Sequence, residues 1–186
     1  MDQVLPLARL TVTDPRAAAR TLLDYGFPRE HHWTLFLLVV SLGGAVFAAA
    51  NVMAPPPEDA PALSGLMAAV LVGGSIFVST GVMLLAGRLF GARAEAPDAM
   101  LLVLWLELLS LAVQILVLIV GFVAPGAGMV LALIYFLLFV WLLSAFTAEL
   151  HGFATVLRGF VGLAVATLAL AFGVALLQAV LMAVIS

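Results

Sequence analysis

Glu107, Ser110 and Gln114 are the residues of this sequence whose types and spacing best suit chemistry. Their offsets of three and seven place them on one face of a helix. They lie inside a long apolar stretch, where an ionisable side chain costs a few kcal/mol. The span still inserts, because its 17 Leu, Val, Ile and Phe residues offset that cost. Such a stripe suits a proton or ion relay, or a polar ligand cavity. The structural alternative is a protonated glutamic acid that bonds across helices and holds a bundle together. Either way the stripe is expected to point into a bundle and not at lipid.

Glu149, His151 and Arg158 form a second polar group, in a short connector between two apolar runs. His151 belongs to the one side-chain type that titrates near neutral pH without special tuning, which would suit a binding or switch patch. The alternative is that the three residues cap helix ends and anchor them at the interface.

Other chemistries find little support. His31 and His32 are adjacent and not four apart, there is no HExxH pattern, and the chain has no cysteine, so no metal site is expected. There is no GxSxG, no phosphate-cradling glycine loop and no basic run suited to nucleic acid. The expectation is a protein that is not an enzyme, uses no cofactor and binds no nucleic acid.

The elements that position these residues follow from composition. Of the 186 residues, 66% are hydrophobic and 9% are charged, against about 25% charged in an average soluble domain. A bilayer can solvate that much apolar surface. Only helices and closed barrels satisfy their backbone polar groups in hydrocarbon. The apolar runs are long and unbroken and lack the alternation of barrel strands. The predicted fold is therefore all-α: a polytopic bundle of five transmembrane helices preceded by a short N-terminal interfacial helix.

The chain divides into a cytoplasmic N-terminal segment, 1–31, and a transmembrane domain, 32–186, with spans near 33–53, 63–87, 100–123, 129–148 and 159–185. The run 33–53 exceeds a signal-peptide core and is read as a retained helix. Thr13-Asp14-Pro15 is a helix start, and the helix should end near Gly26 and Pro28. Arg16, Arg20 and Asp24 follow at four-residue intervals, which predicts an ion pair along the stripe and contact of Arg16 and Arg20 with lipid headgroups. A solvated helix leading into the first span is the plainer alternative. Pro55-Pro56-Pro57 should stiffen the first connector, and Pro125-Gly126-Ala127-Gly128 should form a tight turn. Gly162 and Ala166, Ala169 and Gly173, and then Ala175, Ala179 and Ala183 recur four apart, a spacing that lets helix backbones approach closely, within the chain or between copies.

The seven Arg residues decide orientation. Positions 9, 16, 20 and 29 precede span one, 88 and 93 lie between spans two and three, and 158 lies between spans four and five. In a five-helix layout all seven fall on one face, which the positive-inside rule makes cytoplasmic. The C-terminus then lies on the periplasmic side.

Several segments together resemble bacterial members of the Yip1 family, in the alphaproteobacterial style. They are the Pro15-Arg16-Ala17-Ala18-Ala19-Arg20 helix, Gly87-Arg88-Leu89-Phe90-Gly91, Asp98-Ala99, Trp105, and Ala148-Glu149-Leu150-His151-Gly152-Phe153. The resemblance covers nearly the whole chain. It implies a five-helix fold with a cytoplasmic N-terminus, in a bacterial inner membrane. Eukaryotic relatives are linked to vesicle traffic and prenylated small GTPases. That role is not carried over, because their Asp-Leu-Tyr-Gly-Pro motif and long N-terminal domain are not matched here.

The function expected is lateral association, with itself or another membrane protein, as a scaffold, assembly factor or accessory subunit in the lipid bilayer. The alternative is a small transporter, channel or lipid-handling protein that uses Glu107, Ser110 and Gln114.

Overall fold

Asp14 starts the best-defined helix of the N-terminal segment: its carboxylate accepts the Ala17 N–H at 3.0 Å, and Pro15 occupies the first helical position. In the computed structural model, which describes residues 4–53 and 64–185 with side chains through Met182, this is the second helix. The described residues form α1 (Val4–Thr13), α2 (Pro15–Asp24), α3 (Arg29–Met53), α4 (Gly65–Leu89), α5 (Ala96–Val123), α6 (Pro125–Leu150) and α7 (Val156–Ile185). The Pro55–Pro57 connector falls outside the described residues.

The five long helices expected from composition are present, with lengths of 25, 25, 28, 26 and 30 residues. At 1.5 Å per residue each exceeds the ~30 Å hydrocarbon core. The chain is thus long and apolar enough to cross a membrane five times.

Three local expectations need correction. The N-terminal segment holds two helices and not one. Residues Val4–Thr13 carry Pro6 and a Thr-Val-Thr run, poor helix formers by themselves. Tertiary contact supplies what propensity does not: the buried Trp105 indole N–H donates to the Thr11 hydroxyl at 3.0 Å. Second, Pro125–Gly128 is not a turn. α6 begins at Pro125, where its missing N–H costs nothing, and Ala124 alone joins α5 to α6. Gly128 makes this hairpin possible, since a Cβ there would lie 2.4 Å from Cα of Gly121. Third, Arg20 turns to Glu149 instead of forming an ion pair with Asp24.

Antiparallel neighbours pack α3 on α4, α5 on α6 and α6 on α7, while α7 also reaches α4 and α3 reaches α5. All seven Arg residues therefore fall at one end, called here the Arg-bearing end. Packing is much tighter in that half. Six consecutive residues of α5, Leu101 to Leu106, are buried, so the helix is enclosed on every side there. Phe146, Ile76, Met83 and Val39 close around it. In the opposite half α6 shows no buried residue between Gly128 and Leu142.

Candidate functional site

The tight half owes its corner to three helix ends. α2 lies close to the bundle because Ala18 and Ala19 are fully buried. Arg16 and Arg20, one turn apart, then reach the same carboxylate. Arg16 Nε donates to Glu149 Oε2 at 2.8 Å, and Arg20 Nε to Oε1 at 2.8 Å. Arg16 also donates to the carbonyls of Phe153 at 2.9 Å and Ala154 at 3.2 Å. One cationic side chain thereby ties the end of α6 to the turn before α7, where the helix dipole favours positive charge. The hydrogen bond and then the charge of Glu149 hold the Arg20 guanidinium above its ordinary value.

Backbone geometry fixes the turn. Phe153 N–H reaches back to Ala148 O at 2.7 Å, and Gly152 takes φ +65°, which a side chain would resist. The turn presents His151 to α4. Its Nε2 lies 2.9 Å from Met83 O, so Nε2 carries the proton and donates. The ring sits directly on Gly87, where a Cβ would come within 2.1 Å of it. Phe153 meets the His151 ring at 5.5 Å and the Phe90 ring edge-on at 5.4 Å.

Of the expected patch, Glu149 and His151 occupy this corner and Arg158 does not join them. Arg158 is exposed in the first turn of α7, its backbone N–H on the Thr155 hydroxyl at 3.4 Å. Arg16 and Arg20, expected at lipid headgroups, are both engaged by Glu149, and Arg20 keeps 63% of its side chain exposed. Gly87 was not among the expected site residues. Its signal was the shared appearance of the Gly87 and His151 segments among those that carry the family resemblance.

The stripe on α5 is divided by the packing. Ser110 is buried and donates to Leu106 O at 2.7 Å. Glu107 is half-buried, and Gln114 is exposed, so the stripe does not point uniformly into the bundle. Tyr135 of α6 faces it: the phenol interacts with Ser110 and Gln114 and lies within electrostatic reach of Glu107. Sequence reading missed Tyr135. Its signal was its position, since Gln114 and Tyr135 stand almost equally far on either side of the single-residue hinge at Ala124.

Gln114 and Tyr135 border a cleft of about 550 Å³ between α3, α4, α5 and α6. Gly43, Ala50, Ala68 and Ala132 create it by withholding side-chain volume. Neither Glu107 nor Ser110 lines it. A second groove of about 800 Å³ runs beneath α1 and α2, past Tyr25, Phe27 and Trp105.

No curated protein and no solved structure matches the chain. The Yip1 domain family model matches residues 9–177, which takes in α2, all the segments that form the corner, and nearly all of the five long helices. Three of the five segments that carried the resemblance in sequence, 15–20, 87–91 and 148–153, meet in space, at Arg16, Gly87, Glu149 and His151. The chain is a multi-pass membrane protein and belongs to the Yip1 domain family.

Proposed function

We propose that the protein is a non-enzymatic component of a bacterial inner membrane, with a cytoplasmic N-terminus and a periplasmic C-terminus, that acts by lateral association. Its partner is a second copy or another membrane protein, and its role is that of scaffold, assembly factor or accessory subunit. The Arg distribution supports the orientation.

One observation carries the association. The first half of α7 grips α4 and α6 through buried Gly159, Gly162, Leu163 and Ala166. Every residue from Thr167 to Met182 is exposed. This second half carries Ala169, Gly173, Ala175 and Ala179, residues small enough for another helix to approach its backbone. It also carries Gln178, whose amide gains from a partner across a helix contact.

The chain contains no cysteine, so a single Ala171→Cys variant gives an unambiguous crosslinking site. Crosslinking in native membranes, followed by identification of the neighbour, should yield one product of defined stoichiometry. An uncrosslinked chain that also purifies as an isolated monomer in mild detergent would overturn the reading.

A second reading rests on Gln114 at the cleft: a small transporter, channel or lipid-handling protein that uses the α5 stripe. Glu107→Gln should abolish a flux measured in proteoliposomes. An unchanged flux removes this reading.

A further inference from the structure

The arginines of the Arg-bearing end divide into two groups. Arg16 and Arg20 share Glu149, and Arg29 holds Glu95. Arg9, Arg88, Arg93 and Arg158 form no ion pair among the described residues, and all four are exposed.

Three of these four belong to one corner. The end of α4 meets the first half of α7 at Gly162, where a Cβ would lie 3.2 Å from both Ala86 and the Phe90 ring. Arg158 precedes Gly162 by four residues, about 6 Å nearer the end of the bundle. Arg88 follows Ala86 by two residues, about 3 Å toward the same end. Arg93 is folded back onto α4: Gly91 takes φ +76°, and the Ala92 N–H donates to Gly87 O at 3.0 Å. The three stems therefore start around the Phe90 ring. Segments 88–94 and 150–161 contain no carboxylate. Glu149 is taken by Arg16 and Arg20, while Glu95 and Asp98 act toward Arg29 and His32 of α3. The start of α7 adds the positive end of its helix dipole.

Unbalanced cations favour an anion, and their neighbours decide its kind. Leu89, Phe90 and Leu157 are exposed and stand beside Arg88 and Arg158 in the chain. A free phosphate or an acidic peptide would leave these side chains in water. A phospholipid covers both, with its phosphate on the guanidinium groups and its acyl chains on the apolar side chains. Both helices are long and apolar enough to cross a membrane, so these ends fall at the headgroup boundary.

We propose that the corner formed by the end of α4, the α4–α5 connector and the start of α7 binds an anionic phospholipid, its phosphate held by Arg88, Arg93 and Arg158 and its chains against Leu89, Phe90 and Leu157. The corner is separate from the exposed second half of α7, so lipid binding and lateral association fail independently.

The test places the full chain in nanodiscs of equal parts phosphatidylcholine and phosphatidylglycerol and reads retained lipid by native mass spectrometry. Phosphatidylglycerol should be retained in excess. Arg88→Gln, Arg93→Gln and Arg158→Gln should each lower the ratio of the two lipids by roughly fivefold, the worth of one arginine at an anionic surface. The triple variant should abolish the excess, and Arg9→Gln on α1 should preserve it. Arg88 also complements the C-terminus of α4, a purely structural role. Thermal melting separates the two: the triple variant should melt like the parent in phosphatidylcholine alone and lose only the gain that phosphatidylglycerol confers. Inorganic phosphate should displace no more lipid than chloride at equal ionic strength. Equal retention of both lipids, an excess that survives in the folded triple variant, an equal loss in Arg9→Gln, displacement by inorganic phosphate, or an acidic protein held at these arginines in place of lipid would each overturn the proposal.

Discussion

Arg16 and Glu149 stand 133 positions apart in the chain and meet at 2.8 Å, joining the N-terminal helix pair to the junction of α6 and α7. The same guanidinium bonds two backbone carbonyls of that junction, whereas Arg20 bonds the carboxylate alone among the described residues. The two arginines are therefore unequal.

Arg16→Ala should destabilise the protein by about 2 kcal/mol, the range for hydrogen bonds to a charged group. Arg20→Ala should cost distinctly less, because its side chain is largely solvated. Thermal unfolding in mild detergent ranks the two. Equal effects would show that the carbonyl bonds to Phe153 and Ala154 contribute nothing. Glu149→Gln combined with Arg16→Ala should cost less than the two single changes added together, since both remove one interaction.

Gly87→Ala is expected to be severe for so small a change. The new methyl would meet the His151 ring at 2.1 Å, and the ring is held by Met83 O on one side and Phe153 on the other. Overpacking of this kind costs about 1–3 kcal/mol. His151→Ala in the same chain should restore much of the loss by removing the ring. A double variant no more stable than Gly87→Ala would place the clash elsewhere.

Trp105→Phe removes the indole donor to Thr11 and leaves the ring's apolar contacts largely in place. It should cost about 1 kcal/mol and loosen α1 selectively. A Leu5→Cys reporter on the exposed face of α1 should then react faster with a soluble maleimide, while an Ala171→Cys reporter on α7 keeps its rate. Unchanged labelling at position 5 would show that α1 is held by other contacts.

Gly162→Leu and Ala175→Leu separate the two halves of α7. A Cβ on Gly162 already meets Ala86 and Phe90 at 3.2 Å, so a leucine there should lower the melting temperature of the single chain. Ala175 is exposed, so its substitution should leave melting unchanged and reduce the crosslinked product several-fold. Loss of fold in Ala175→Leu would contradict the assignment of that half to an external partner.

Hydrophobic run length and the placement of seven arginines determined, without any coordinates, that the chain is helical, has five stretches long and apolar enough to cross a bilayer, and keeps its cations at one end. Those properties are local or additive, since each span answers to its own transfer free energy. The family was legible too, because its short segments survive as strings. What the tertiary structure decided was which distant residues share a contact. Val4–Thr13 is a weak helix former until Trp105 bonds Thr11. Arg16 and Arg20 share a stripe of α2 in sequence, and only the fold delivers Glu149 of α6 to both. Pro125–Gly128 carries the composition of a turn, and becomes helix because Gly128 lies against Gly121 across the hairpin. The α5 stripe looked continuous on a helical wheel, yet packing buried Ser110, left Gln114 at a cleft and brought Tyr135 to it. A periodic pattern specifies a face, and only the neighbouring helices specify what that face meets.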